Sequence, residues 1–194
     1  MWVQPLAMLG KDGDAIGAYK EALELCRATL AQGALRYNDL MAKTLYRYAI
    51  ILRELDRVSE AAEVGEGAIS VFHNIARTGE ESTTWLCYTL HNHGYTCHLL
   101  GRHAESVLAF QESISLRRAL AATDPTQEKY LGAALHHIAN ALHALNKHAE
   151  AIAAATEALE RNHGRVLEGC HSPSDFISCF VCQRAMRSDS TTPQ

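Results

Sequence analysis

Eleven histidines and six cysteines are the first candidates for chemistry in this chain, because imidazole and thiol groups serve metal binding, proton transfer and nucleophilic attack. His91 and His98 are seven residues apart, as are His136 and His143. On a helix that spacing keeps both rings on one face but separates them by roughly 10 Å along the axis. Neither pair can share one metal, since each zinc–imidazole bond is about 2.1 Å long. Pairing His91 with His136 across helices would supply two ligands, and no third can be named. His93 and Cys97 stand four apart, within reach of each other on a helix. Cys179 and Cys182 form a C-x-x-C near Cys170 and His171. A single such pair, with no matching second pair and no βαβ context, carries neither a zinc nor a redox reading. No glycine-rich phosphate loop and no G-x-S-x-G elbow occurs. A metal- or thiol-dependent enzyme is therefore the minor alternative, and no catalytic residue, metal or cofactor is expected.

What must position these side chains is a helical scaffold. Of the 194 residues, 47% are hydrophobic and only four are proline, which permits long helices around a continuous core. A net charge of -4 gives no field to recruit nucleic acid or an anionic membrane. The apolar runs stop well short of the roughly 18 residues that a membrane span requires. The opening MWVQPLAMLGKDGD has no basic leader followed by an apolar region. The expectation is a cytoplasmic, soluble protein with reduced cysteines.

One phrase is written four times: LGKDGDAIGAYKEAL from Leu9, LDRVSEAAEVGEGAI from Leu55, LGRHAESVLAFQESI from Leu100 and LNKHAEAIAAATEAL from Leu145, at spacings of 46, 45 and 45 residues. Each copy reads as a leucine ending one helix, a polar or glycine turn, and a new helix with Glu60, Glu105 or Glu150 in its first turn, where a carboxylate suits the positive helix end. Small residues recur at Ala15, Ala61, Ser106 and Ala151 and seven later at Ala22, Ala68, Ser113 and Ala158, marking one face that a neighbouring helix can approach closely. Before the turn, Ala49, Gly94 and Ala139 fall in register on the preceding helix. Antiparallel helix pairs that bury their apolar faces only by stacking form a helical solenoid. Helices are expected at 12–33, 37–55, 57–78, 82–100, 103–122, 127–145 and 148–167.

These phrases resemble tetratricopeptide (TPR) repeats over residues 1–165. In the third repeat, Gly94, Ser106 and Phe110 fall where that family places its helix-contact glycine, small residue and aromatic. Leu45, Leu90 and Leu135 replace the family's tryptophan, and Gly65 and Ala155 its aromatic. The repeat exceeds the usual 34 residues by roughly three helical turns. It is similar in this to kinesin light chains and to TPR arrays attached to fungal and bacterial nucleotide-binding or CHAT-protease proteins. The fold class implied is all-α, a right-handed TPR-type solenoid over 1–167, with a partial repeat at 1–33 and repeats at 37–78, 82–122 and 127–167. Asp124 and Pro125 would join successive repeats. Residues 168–194 are read as a short capping helix near 173–187 and a disordered tail.

The resemblance places the first helix of each pair on the ligand-facing side. It assigns partner contacts to Lys43, Tyr46, Ile50 and Arg53, to Tyr88, His91, Tyr95 and His98, and to Ala133, His136, Asn140 and His143. Rows of His91 beside His136 and His98 beside His143 would then offer rings, donors and acceptors to an extended peptide or amphipathic helix. Cys97 falls at the family's interhelix packing position, where a thiol acts as a small apolar group. The family's carboxylate clamp is not reproduced: Asn140 matches one member, but the lysines are missing. The function implied is a protein-interaction scaffold docking a protein or peptide partner in its groove. Self-association, or attachment to a larger multidomain chain of which this is a fragment, is the alternative.

Overall fold

A computed structural model describes residues 12–31, 37–75 and 79–166, with side chains at 13–29, 37–75 and 79–161. Seven helices and no strand occur among them: α1 (Asp12–Ala31), α2 (Asn38–Glu54), α3 (Val58–Ile75), α4 (Glu80–Leu99), α5 (His103–Leu120), α6 (Gln127–Ala144) and α7 (His148–Val166). The chain divides into two compact units, Met1–Leu100 and Gly101–Gln194. In the first, α2 packs on α1 and α3, α3 packs on α4, and α2 also meets α4; in the second, α6 lies between α5 and α7. The capping helix and tail expected beyond 167 lie outside the described residues.

The recurring turn has one geometry with a definite cause. The residue after each closing leucine, Asp56, Gly101 or Asn146, has positive φ of 60°, 73° and 60°. Glycine adopts this conformation freely, and aspartate and asparagine are the side chains that tolerate it best. At two of these turns the backbone closes identically: Asp56 N donates to Arg53 O and Arg57 N to Leu52 O, while Asn146 N donates to His143 O and Lys147 N to Leu142 O. This is the Schellman arrangement, which satisfies the carbonyls that a helix end leaves over. The following cation then reaches forward to the glutamate of the next helix's first turn, in the pairs Arg57–Glu60, Arg102–Glu105 and Lys147–Glu150. The Arg57 guanidinium holds the Glu60 carboxyl below its ordinary range.

Small residues let the pairs close. Ala61, Ser106 and Ala151, and seven on Ala68, Ser113 and Ala158, are all buried. A ring step then joins each second helix to the next first helix. Tyr19 of α1 stacks on Tyr48 of α2 at 5.6 Å, and Phe110 of α5 stacks on His137 of α6 at 5.7 Å. Between α3 and α4 the step is inverted. Gly65 stands where Tyr19 and Phe110 stand in their repeats, and the ring comes from the other side as His93. A Cβ at residue 65 would lie 3.0 Å from His93 Nδ1, tighter than an ordinary contact, so glycine gives the imidazole its space there.

The second unit holds a buried cation. Arg117 is 1% exposed at the repeat position occupied by Cys26 and Phe72 elsewhere. Its Nη1 donates to Gln127 Oε1 at 3.0 Å, and its guanidinium lies 5.0 Å from the Tyr130 ring centroid. Gln127 Nε2 in turn donates to Asp124 Oδ2 at 2.7 Å, and Asp124 Oδ1 accepts from Thr126 N and Thr126 Oγ1. The loop at Asp124 and Pro125 is therefore tied to the end of α5 and the start of α6. A buried charge is tolerable only with such partners.

Candidate functional site

The face shared by α2 and α4 gathers most of the polar and aromatic side chains that the sequence nominates in the first unit. Lys43, Tyr46 and Arg53 come from α2 and Tyr88 and Tyr95 from α4, and all are half-buried; Ile50, His91 and His98 are half-buried on the same two helices. Lys43 Nζ pairs with Asp39 at 2.8 Å and Glu81 at 3.0 Å. Hydrogen bonding to Asp39, then Glu81, raises its pKa above the usual lysine value, against the opposing effect of burial. The same ammonium lies 5.1 Å from the Trp85 ring centroid. Trp85 meets Tyr46 edge-on at 5.6 Å and Tyr88 edge-on at 6.0 Å.

One turn further along, Arg53 Nη1 donates to Asn92 Oδ1 at 3.0 Å and stands 5.3 Å from the Tyr95 ring centroid. Asn92 Nδ2 donates to Tyr46 Oη at 3.2 Å and to Tyr88 O at 3.0 Å. One amide therefore fixes a guanidinium and a phenol. Among the described residues no carboxylate pairs with Arg53. Residues 40–53 and 82–99 contain no aspartate or glutamate, so the charged side chains of α2 between its first turn and Glu54 are all cations, Lys43, Arg47 and Arg53.

Trp85 and Asn92 were not among the sequence candidates. The reason is stagger. Tyr46 meets Trp85 and Arg53 meets Asn92 at a separation of 39 residues, six short of the repeat. Tyr46 also meets Asn92, at a separation of 46, so a side chain on α2 falls between α4 side chains seven residues apart rather than on its repeat equivalent.

His136, Asn140 and His143 lie half-buried on α6, as does Ala133. Asn140 Nδ2 and His136 Nε2 are 3.4 Å apart, His136 meets His137 edge-on at 5.4 Å, and His143 lies 5.2 Å from His148 of α7. The expected rows, His91 with His136 and His98 with His143, would run between the two units, and each unit is described by itself.

The His93–Cys97 couple exists, with Cys97 Sγ 3.3 Å from His93 Nε2. Cys97 is 0% exposed, so the thiol faces packing rather than substrate. Among the described residues no group of three or more His, Cys, Asp or Glu side chains is placed to hold a metal. No described helix is long and apolar enough to cross a membrane. Cys170, His171, Cys179 and Cys182 lie outside the described residues.

Each unit also has a groove between its successive second helices, at repeat-equivalent positions. In the first unit Leu23, Arg27, Leu45, Tyr48, Val64 and Gly67 line about 610 Å³; in the second Ile114, Arg118, Leu135, Ile138, Ala154 and Glu157 line about 400 Å³. Glu157 closes the second by accepting from Arg118 at 2.8 Å through both oxygens and from Arg161 at 3.1 Å, and Arg161 reaches Glu128 at 2.5 Å. Burial pushes the Glu157 carboxyl up, but Arg118 and Arg161 outweigh it and hold it below its ordinary value. In the first groove Gly67 takes that place, and Arg27 pairs with Glu24 of its own helix.

Comparison with known proteins agrees with this architecture. The family model described as tetratricopeptide repeat matches residues 88–120 and 132–162. No curated protein matches the sequence. Among solved structures, BtubC (BKLC) from P. vanneervenii is 14% identical with a TM-score of 0.58, over 80% of this chain and 58% of that one. The nearly identical TPR-like repeats of a Podosopora anserina protein described as a kinesin light chain are 15% identical, with a TM-score of 0.55 over 94% of this chain and 90% of that one. This chain thus spans less than two thirds of the first of these, and at such identities the likeness establishes an all-α helical-repeat solenoid as the fold. Repeats of this kind generally mediate protein–protein interaction. The repeat model is matched on two consecutive copies, so residues 88–120 and 132–162 are similar to tetratricopeptide repeats, and the turn and small-residue face found there recur along the described helices.

Proposed function

We propose that the chain is a protein-interaction scaffold that docks a partner segment on the α2–α4 face, and that the segment carries carboxylates beside apolar side chains. The observation that carries this reading is the Arg53–Asn92–Tyr46 chain of hydrogen bonds. It holds a half-buried guanidinium on a neutral amide and a tyrosine ring, so the charge is fixed in place but not neutralised. A pre-set guanidinium loses little freedom on taking up a carboxylate and can accept it through two parallel bonds. Trp85, Tyr46 and Tyr88 supply adjoining flat apolar area of the kind that dominates peptide recognition. His91, Tyr95 and His98 extend the surface along α4, and His136, Asn140 and His143 on α6 are the corresponding contacts of the following repeat.

Selection from a displayed random-peptide library on the full chain tests the reading. The expected outcome is enrichment of peptides bearing Asp or Glu beside an aromatic or aliphatic residue, bound more weakly as salt rises. A His91→Ala/His136→Ala double variant is expected to stay folded and lose part of that binding. Recovery of no carboxylate-bearing peptide would reject the proposed partner chemistry.

A further inference from the structure

We propose that His143 and His148 form a two-imidazole chelate for a divalent transition ion of the zinc class, clamping the turn between α6 and α7. His143 lies in the last turn of α6 and His148 opens α7. The backbone between them is locked by Asn146 in its positive-φ conformation and by the bonds from Asn146 N to His143 O and from Lys147 N to Leu142 O. On that frame the ring centroids stand 5.2 Å apart, tilted by 51°. A metal about 2.1 Å from one nitrogen of each ring, at a near-tetrahedral angle, needs centroids roughly 5 Å apart. The turn itself thus brings the two rings to the separation a chelate requires, and rotation of the exposed His148 side chain aims its nitrogen, so capture of the second costs little backbone ordering.

The surroundings suit an ion that keeps water. His143 is half-buried and His148 exposed, and with no third protein ligand among the described residues solvent completes the coordination. Imidazole selects zinc, nickel and copper over magnesium or calcium. The carbonyl end of α6 favours a cation, and the neighbouring Lys147 is paired with Glu150 at 3.4 Å. The same H-x-x-x-x-H spacing occurs once more around a repeat turn, at His98 and His103, whereas repeat two places Arg53 and Val58 at these positions. The spacing therefore belongs to the last two turns and not to the repeat in general.

Zinc chloride titrated into the full chain, read on the imidazole nitrogen and proton resonances, tests the site. His143 and His148 are expected to shift together along one binding curve. His148→Gln, a change at an exposed residue, is expected to abolish the His143 shift or weaken it at least tenfold, and His143→Gln to do the same to His148. A His143 shift unchanged in His148→Gln would overturn the proposal. So would zinc taken up with both rings unmoved, as when the cysteines at 170, 179 and 182 alone bind it.

Discussion

The two units share their turn, their small-residue face and their ring step, yet the second, with α6 as its single first helix, carries its polar cross-links on its second helices. In the first unit the links join first helices, through Lys43 to Glu81 and Arg53 to Asn92 to Tyr46. In the second they involve the second helices: Arg118, Glu157, Arg161 and Glu128 tie α5 to α7 and α7 to α6, and Arg117 is sealed by Gln127 and Tyr130. The backbone repeat therefore sets where a side chain can reach, while single substitutions decide which groove is latched. Gly67 against Glu157 shows this in one position: the glycine leaves Arg27 to its own helix, and the glutamate draws Arg118 across.

Removing the buried cation tests the second unit most severely. Arg117→Ala deletes a charge-assisted hydrogen bond, a cation–π contact and buried volume together, and is expected to cost about 2–4 kcal/mol in denaturant unfolding. A cost near zero would mean that Arg117 does not seal the α5–α6 junction. In the first unit, Gly65→Ala sets a methyl 3.0 Å from His93 Nδ1, an overpacking term expected to cancel the roughly 1 kcal/mol that alanine gains over glycine in a helix. Combining it with His93→Ala should relieve that overpacking term, so strict additivity in the double variant would break the inverted ring step.

Smaller effects test the grooves. Glu157→Gln removes the hub between Arg118 and Arg161 and is expected to cost about 1 kcal/mol, allowing for the half-exposed Arg118. Its pH signature has a fixed sign. Because the Glu157 carboxyl is held low in the folded chain, its contribution is present above the unfolded carboxylate pKa and is lost as pH falls through the folded one. Glu157→Gln should therefore flatten the acid limb of the stability curve. The converse graft, Gly67→Glu, meets open space and is expected to stabilise the chain by about 0.5–1 kcal/mol, largely through helix propensity. Destabilisation would show that the first groove cannot take the latch.

The repeat, the helix positions and the small-residue faces were legible because each follows from local rules written several times over. The turn phrase, for example, always places glycine, aspartate or asparagine where positive φ is needed. What was not legible depends on registration between helices. Asn92 and Trp85 escaped notice because α2 side chains meet α4 at separations of 39 and 46 residues rather than at the repeat of 45, and spacing along one helix does not reveal stagger against another. His93 packs its ring where Gly65 leaves space, and nothing along α4 alone points to that glycine on α3. Arg117 carries a charge at a position where Cys26 and Phe72 are apolar, and nothing in the local pattern distinguishes a buried arginine from a solvated one. His148 reads as a helix-start histidine in sequence, and only the folded turn brings it against His143.

Titration calorimetry of a library-selected, carboxylate-bearing peptide against the full chain, Arg53→Ala and Arg118→Ala tests the central claim most directly. Docking on the α2–α4 face predicts that Arg53→Ala weakens binding at least tenfold, about 1.4 kcal/mol, while Arg118→Ala leaves it unchanged. Equal affinity for Arg53→Ala and the unmodified chain, or a loss confined to Arg118→Ala, would contradict it.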